Sequence, residues 1–233
     1  MRQIFLDTET TGLYAEQGDR VIEVACVELI NRKLTGNNFH YYINPGRDSH
    51  EDALRIHGIT TEFLKDKPRF ETIADELLAF VADAELIIHN APFDLGFLDK
   101  ELELLQRPAF KSHVRSVLDT LVMAKERYPG KRNSLDALCD RLDIDRSSRT
   151  LHGALLDAEL LADVYVHMTR GQNSLLMDWN DTNTEGVVVS TLDLRSFDLP
   201  VLQANDAEHA AHDDVLAQID KASGGKTVWR KYA

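Results

Sequence analysis

The sequence predicts an α/β protein: a mixed β-sheet flanked by helices, followed by a linker and a small C-terminal interaction module. Three apolar runs follow one another near the amino terminus, and extended and helical patterns then alternate up to about residue 170. This order of elements favours a mixed sheet with helices on both faces. We find no internal repeat.

Five strands are predicted, each a short run of apolar or β-branched residues bounded by polar or turn-forming residues. The second and third are joined by the short polar segment 31–38, which indicates a hairpin, and the third is stopped by the turn residues 44–46. The predicted strands are residues 3–6, 21–30, 39–43, 86–88 and 116–118.

Helices are predicted from the spacing of apolar residues. Ile73, Leu77, Phe80 and Val81 form one amphipathic stripe, and a second helix begins at Pro92, a residue well suited to the first helical turn. The predicted helices after the first stripe are residues 92–105, 120–127, 134–142 and 154–168.

The chain is expected to divide after Gly171. Residues 1–171 carry the mixed sheet, whereas residues 172–186 are polar, lack a sustained period and suit a flexible linker. Residues 187–233 form a module too short for a large core of its own, so we expect it to dock on a partner. It contains two short apolar runs, 187–189 and 199–202, predicted as strands.

A helix is predicted in this module from its end signals. Asn205 and Glu208 have the spacing of a helix-capping pair, and Gly224 with Gly225 stops the pattern. Its apolar stripe is Ala207, Ala211, Val215 and Ile219.

The net charge of -13, from 39 acids and 26 bases, excludes a generic cationic coat for gripping nucleic acid. A hydrophobic content of 43% excludes wholesale disorder. Residues 107–149 run against the trend, with 10 bases and 6 acids, and are the best candidate for a phosphate track. They include Lys125, Arg127, Lys131, Arg132, Arg146 and Arg149.

Two cysteines are too few for a disulfide framework, and Cys26 and Cys139 lie in apolar patterns typical of core residues. No run approaches the roughly 18 apolar residues of a membrane span, and no N-terminal segment of this sequence combines basic residues with a long apolar stretch. We therefore expect a cytoplasmic protein without membrane contact.

Asp7 and Glu9 lie two residues apart at the end of the first apolar run. On a strand these side chains point to the same side, so both carboxylates can converge on one point. Adjacent buried acids repel each other unless a cation neutralises them. Taken alone, the pair fits solvated acids at a polar strand exit better than a metal site.

Two later segments each add a carboxylate. Asp94 falls in the first turn of a predicted helix, a position that the helix dipole favours even without a function. His152 and Asp157 are five residues apart, about 140° on a helix, so both cannot face one site from its regular part. Gly153 indicates that His152 lies in the preceding loop while Asp157 points inward from the second turn.

If the four carboxylates meet, they form a hard-oxygen site that suits Mg²⁺ or Mn²⁺. The sequence holds no Cys and His cluster typical of zinc. Two such ions, about 3.5–4 Å apart, stabilise the attacking and leaving oxygens of a phosphoryl displacement. A histidine, with an unperturbed pKa of about 6.5, is suited to take a proton from the attacking water.

The three segments together resemble the Asp-Glu-Asp-Asp exonucleases of the histidine-bearing subgroup (DEDDh). They are residues 5–12 (FLDTETTG), 90–94 (NAPFD) and 152–158 (HGALLDA), and their order and spacing match over about residues 1–170. The resemblance implies a ribonuclease-H-like fold, two divalent ions and 3′→5′ removal of nucleoside monophosphates. It makes Asp7, Glu9, Asp94 and Asp157 metal ligands and His152 the general base.

The resemblance also implies a pocket for the terminal nucleotide, formed by the backbone of Thr10, Thr11 and Gly12. Leu13 would wedge against the last base. His57 lies in a segment similar to one that lines this pocket in the family, although a helix-end histidine without such a role is an equal alternative.

Within the family, the similarity is greatest to proofreading subunits of replicative DNA polymerases, which implies a single-stranded or frayed DNA 3′ end as substrate. The module 187–233 resembles a tail that binds the polymerase subunit, with Trp229 as an aromatic anchor. Some relatives also bind a small accessory subunit. The linker is similar to weak sliding-clamp peptides at Gln172, Leu175, Leu176 and Met177.

The preferred hypothesis is a tethered proofreader, because tethering raises the effective concentration of the nuclease without tight DNA binding. Two alternatives remain open. One is an RNA or oligonucleotide 3′→5′ exonuclease of the same family, and the other is a non-catalytic replisome-binding module with structural carboxylates.

Overall fold

The computed structural model describes residues 2–146, 151–170 and 204–224. The chain divides into two compact units, residues 1–178 and 179–233, and each is described by itself. The predicted linker, the two predicted strands that follow it, the clamp-like residues Gln172, Leu175, Leu176 and Met177, and Trp229 all lie outside the described residues.

A five-stranded mixed sheet forms the centre of the first unit, in the order β3-β2-β1-β4-β5. β1 pairs antiparallel with β2, and β2 with β3, whereas β1–β4 and β4–β5 are parallel. The mixed sheet predicted from the order of elements is therefore confirmed. The strands are β1 (Arg2–Thr10), β2 (Val21–Ile30), β3 (Lys33–Tyr42), β4 (Glu85–Ile88) and β5 (Ser116–Asp119).

Helices cover both faces of the sheet. Ile4 and Leu6 on β1 pack with Leu77 and Leu98 on one face, whereas Phe5, between them in sequence, packs with Leu161 on the other. This alternation follows from the two-residue repeat of a strand. The helices are α1 (Glu51–His57), α2 (Thr61–Leu64), α3 (Phe70–Val81), α4 (Ala91–Leu104), α5 (Thr120–Arg127), α6 (Leu135–Leu142), α7 (Ala154–Met168) and α8 (Asp206–Ser223).

The structure differs from the sequence prediction mainly at strand ends. β1 continues past Asp7, because residues up to Thr10 keep their pairing with β2. The hairpin connection is only Asn31 and Arg32, both with left-handed backbone, since β3 already begins at Lys33. The first half of β3 is exposed, so its sequence lacks the apolar pattern used to find strands.

Two short helices, α1 and α2, were not predicted because their residues are mostly exposed and polar. Cys26 and Cys139 are both buried, as expected. Among the described residues, no helix is long and apolar enough to cross a membrane.

The second unit is described through α8, whose predicted end signals are confirmed. The Asn205 side chain accepts a hydrogen bond from the Glu208 amide at 3.0 Å, and the Glu208 carboxylate accepts one from the Asn205 amide at 2.8 Å. Gly224 ends the helix with a φ of 62°. Val215 and Ile219 of the apolar stripe are 52% and 39% exposed, and the buried apolar residue of α8 is Leu216.

Candidate active site

A cavity of about 530 Å³ opens where β1, α1, α4 and the amino end of α7 meet. Its lining contains nine of the ten residues that the sequence predicted for catalysis and nucleotide binding in this unit. They are Asp7, Glu9, Thr10, Gly12, Leu13, His57, Asp94, His152 and Asp157.

β1 supplies two of the carboxylates from within the strand rather than beyond its end. Asp7 and Glu9 point to the same side as Phe5, which packs against α7. Glu9 is 9% exposed, and it lies opposite Glu23 in the register of β1 and β2. Both carboxylates therefore face the helix that carries Asp157.

α4 supplies Asp94 from its first turn, directly after β4. The side chain is 3% exposed, and its Oδ1 accepts a hydrogen bond from Thr8 Oγ1 at 2.7 Å. Asp119 holds the start of α4, because its carboxylate accepts from the amides of Asn90 and Ala91 at 3.2 Å. The same carboxylate caps α5, so one side chain fixes two helix ends.

His152 lies in the loop before α7, as predicted, and its amide donates to the carbonyl of Ile56 on α1 at 3.2 Å. Asp157 is buried in the first turn of α7, one turn earlier than predicted. Nδ1 of His152 lies 3.3 Å from Oδ2 of Asp157. One ligand atom from each of Glu9, His152 and Asp157 falls within 4.8 Å of the others.

Burial and neighbouring like charges raise the pKa of two of these carboxylates, Asp7 and Asp94. Burial, followed by repulsion from Asp94, Asp157, Glu9 and Glu23, raises the pKa of Asp7 well above its usual value. Burial raises the pKa of Asp94 to about 7 in spite of the Thr8 hydrogen bond. A cation bound among them would remove this repulsion, so the arrangement favours metal binding.

The loop after β1 forms the wall of the cavity. Thr10 Oγ1 donates to the Gly12 carbonyl at 2.6 Å, and Leu13 is 66% exposed at the mouth. Thr11 does not line the cavity: it is fully buried, and its Oγ1 donates to Asp19 Oδ1 at 3.2 Å. Thr11 therefore supports the wall from behind.

Asp19 is the buried residue that organises this loop, and sequence analysis missed it. Its carboxylate also accepts from the Tyr14 amide at 3.1 Å and lies 3.1 Å from both His50 Nε2 and Arg47 Nη1. A Cβ on Gly12 would lie 2.3 Å from Asp19 Oδ2, so only glycine fits there without displacement.

His57 presents a polar atom to the site. Its Nδ1 accepts a hydrogen bond from the Ile59 amide at 2.9 Å, so the neutral ring carries its proton on Nε2. That nitrogen is buried and has no hydrogen-bond partner among the described residues. Burial lowers the pKa of His57; the charge of Glu23 opposes this decrease, and His152 adds a smaller one.

Only part of the predicted basic track remains available. Lys125, Arg127, Lys131 and Arg132 are exposed, whereas Arg146 is paired with Asp136 and Asp140 at 3.3 and 2.8 Å. Arg149 lies outside the described residues.

The residues that could hold a divalent metal are Asp7, Glu9, Asp94 and Asp157. Their ligand atoms are all carboxylate oxygens, which suit hard cations. Burial and repulsion from neighbouring acids raise the pKa of Asp7, and a bound cation would relieve this repulsion as protonation does, which is compatible with this assignment.

Comparisons with known proteins agree with this geometry. The exonuclease family model matches residues 4–165. The chain is 52% identical to the DNA polymerase III subunit epsilon of Pasteurella multocida, over 99% of this chain and 94% of that protein. It is 47% identical to the Escherichia coli K12 subunit of the same name, over 98% and 97%.

A solved structure extends the comparison to the fold. The nuclease domain of 3′hExo, a DEDDh family member bound to rAMP, superposes with a TM-score of 0.62 at 17% identity, over 72% of this chain and 90% of that one. The chain therefore belongs to the exonuclease family, and within it to the epsilon subunits of bacterial DNA polymerase III.

Proposed function

We propose that this protein is the proofreading 3′→5′ exonuclease subunit of a replicative DNA polymerase, removing mispaired 3′-terminal nucleotides as 5′-monophosphates. The observation that carries the proposal is the convergence of Asp7, Glu9, Asp94, Asp157 and His152 in one cavity. Near-full-length identity to epsilon subunits supports DNA, rather than RNA, as the substrate.

The family depends on divalent metals, and we propose two Mg²⁺ or Mn²⁺ ions held by the four carboxylates. Such ions, when bound, polarise the phosphate and stabilise the attacking and leaving oxygens of the displacement. The protein contributes a rigid ligand set: β1 fixes Asp7 and Glu9, Thr8 orients Asp94, and the first turn of α7 fixes Asp157.

We propose His152 as the general base. Its Nδ1 is directed towards Asp157, and we assign to Nε2 the proton taken from the attacking water. The side chain is 45% exposed at the cavity, so it can reach a water beside the terminal phosphate.

The terminal nucleotide would lie between the loop 10–13 and α1. We propose that Thr10, Thr11 and Gly12 form its backbone cradle, with Thr11 acting from behind the wall. Leu13 would contact the terminal base, and the Nε2–H group of His57 would donate a hydrogen bond to the nucleotide. A mispaired end frays readily, which favours single-stranded delivery to this site.

We further propose that residues 187–233 bind the polymerase subunit through Trp229, and that the linker peptide containing Gln172, Leu175, Leu176 and Met177 docks weakly on the sliding clamp. A small accessory subunit would bind the nuclease domain. The supporting observation is that epsilon subunits align over 94–97% of their length, which includes this tail. A replisome subunit of this kind works in the cytoplasm.

The test compares the hydrolysis of three substrates, each labelled at its 5′ end. Two are DNA primers annealed to a template, one with a matched and one with a mispaired 3′ terminus, and the third is an RNA oligomer of the same sequence. The proposal predicts metal-dependent release of 5′-mononucleotides, fastest from the mispaired DNA. Equal or faster degradation of the RNA would favour an RNA-trimming enzyme, and no release with Mg²⁺ or Mn²⁺ would favour a binding module.

A further inference from the structure

A fifth carboxylate lies beside the four proposed ligands and does not line the cavity. Glu23 is on β2, directly opposite Glu9, and is 1% exposed. It contributes to the repulsion that raises the pKa of Asp7, so it lies close to the proposed metal site. A buried acid at this place needs specific partners, since an unpaired buried charge is costly.

Both oxygens of Glu23 have partners from different elements. Oε1 lies 2.7 Å from Nε2 of His40 on β3, and Oε2 accepts a hydrogen bond from the backbone amide of Ala154 at 3.1 Å. His40 fixes the carboxylate on the sheet side, and the carboxylate in turn holds an amide on α7.

The amide that Glu23 holds is the first of α7, because Gly153 is the residue that precedes the helix. It lies two residues after His152 and three before Asp157. A carboxylate at a helix amino terminus is stabilised by the helix dipole and forms a charge-assisted hydrogen bond. Glu23 therefore fixes the point from which both functional side chains of this segment project.

The loop with His152 is held on its other side by α1, where the His152 amide donates to the carbonyl of Ile56. These two hydrogen bonds bracket His152, one directly at its own backbone and one two residues later. Gly153 itself adds no side-chain restraint, so these two hydrogen bonds from backbone amides hold the chain on either side of it.

We infer that Glu23 is a positioning residue for the reaction, one that sets the place of the His152 imidazole through the amide of Ala154. Its carboxylate is engaged by His40, Tyr42 and the Ala154 amide and does not line the cavity, so it has a positioning role and no place in the proposed ligand set. The inference rests on the proposed function, in which His152 is the base. Misplacing a catalytic group by about 1 Å lowers rates up to about 100-fold.

The test compares steady-state kinetics of Glu23→Ala and Glu23→Gln in the full chain, on a single-stranded DNA oligomer with Mn²⁺. Glu23→Ala is expected to lower kcat about 10- to 100-fold, with KM within about threefold of wild type. Glu23→Gln keeps an oxygen that can accept from Ala154, so its kcat should stay within about fivefold. If Glu23→Ala fails to fold, the kcat of Glu23→Gln still tests the inference.

Glu28→Gln is the matched control, because Glu28 is on the same strand, is 6% exposed and is paired with Arg2 at 2.6 Å. It should change thermal stability but not kcat. Glu23→Ala should also lower kcat by less than about threefold in a His152→Gln background, because residues that act as a unit are not additive.

If the wild type is active, either of two results would overturn the inference alone. One is an unchanged kcat in folded Glu23→Ala, and the other is a decrease in kcat caused by Glu23→Ala that is as large in the His152→Gln background as in wild type. A folded Glu23→Gln that loses as much kcat as His152→Gln would overturn it as well. A wild-type protein that releases no mononucleotide with Mn²⁺ would overturn the proposed function, and this inference with it.

Discussion

Replacing Asp94 with asparagine should stabilise the metal-free protein at alkaline pH while abolishing efficient catalysis. The Asp94 carboxyl is buried and its pKa is raised to about 7. Ionising it therefore costs more free energy in the folded protein than in the unfolded chain. Asparagine is uncharged and keeps an oxygen that can accept the hydrogen bond from Thr8.

The magnitude follows from the two pKa values. A pKa of about 7 in the folded protein, against 3.8 for an ordinary Asp, corresponds to about 4 kcal/mol. The folded-state pKa already includes the favourable interaction of the charged carboxylate with the amino end of α4, so no separate loss arises from that interaction. We therefore expect a gain of roughly 2–4 kcal/mol in the free energy of unfolding at pH 8.

The sign depends on pH. Because the folded-state pKa lies above the unfolded one, Asp94 destabilises the metal-free wild type progressively as pH rises from about 4 to about 7. Below pH 4 the carboxyl is protonated in both states, so the advantage of the variant disappears. Bound metal should reverse the order at pH 8, because it neutralises the charge in the wild type only.

The assay is urea unfolding in EDTA at pH 4 and pH 8, repeated at pH 8 with Mn²⁺. Asp75→Asn is the control: Asp75 is exposed, and the hydrogen bond and charge of Arg107 lower its pKa, so its replacement should not stabilise the protein at pH 8. An Asp94→Asn variant no more stable than wild type in EDTA at pH 8 would refute the reasoning.

Three further outcomes are expected. His57→Phe should raise KM for single-stranded DNA several-fold, by about 1 kcal/mol for a lost hydrogen bond, with a smaller change in kcat; an unchanged KM would remove His57 from the pocket. Gly12→Ala should lower the Tm by several degrees and raise KM, because its Cβ would lie 2.3 Å from Asp19 Oδ2; wild-type Tm and KM would contradict the rigid wall. Truncation after Gly171 should retain exonuclease activity on single-stranded DNA but abolish co-purification with the polymerase subunit, and Trp229→Ala should weaken that co-purification strongly. Binding of the polymerase subunit by the truncated chain would refute the proposal that residues 187–233 attach the nuclease to it.

Local parts of the carboxylate site could be predicted from sequence because they follow simple geometric rules, whereas the full ligand set was expected from the resemblance to a known family. Asp7 and Glu9 share one face through the two-residue repeat of a strand, and Gly153 separates His152 from the helix of Asp157. These relations are local in the chain, so they can be predicted without knowledge of the tertiary structure.

Residues that act across the fold were missed for the opposite reason. Glu23 is one of two acids in an apolar strand, and its partners His40 and Ala154 are 17 and 131 residues away. No sequence pattern indicates the role of Asp19 either, since that role depends on the backbone amides and side chains that the folded loop places around it. Thr11 was assigned to the pocket from its place in the motif, but burial puts it behind the wall.

The central claim is that Asp7, Glu9, Asp94 and Asp157 hold two divalent ions next to His152. Anomalous diffraction from crystals grown with Mn²⁺ and a 5′-mononucleotide tests it most directly. We predict two peaks about 3.5–4 Å apart, with ligands drawn from these four carboxylates and with His152 not among them. A single peak ligated by Glu9, His152 and Asp157, or no peak in this cavity, would contradict the account.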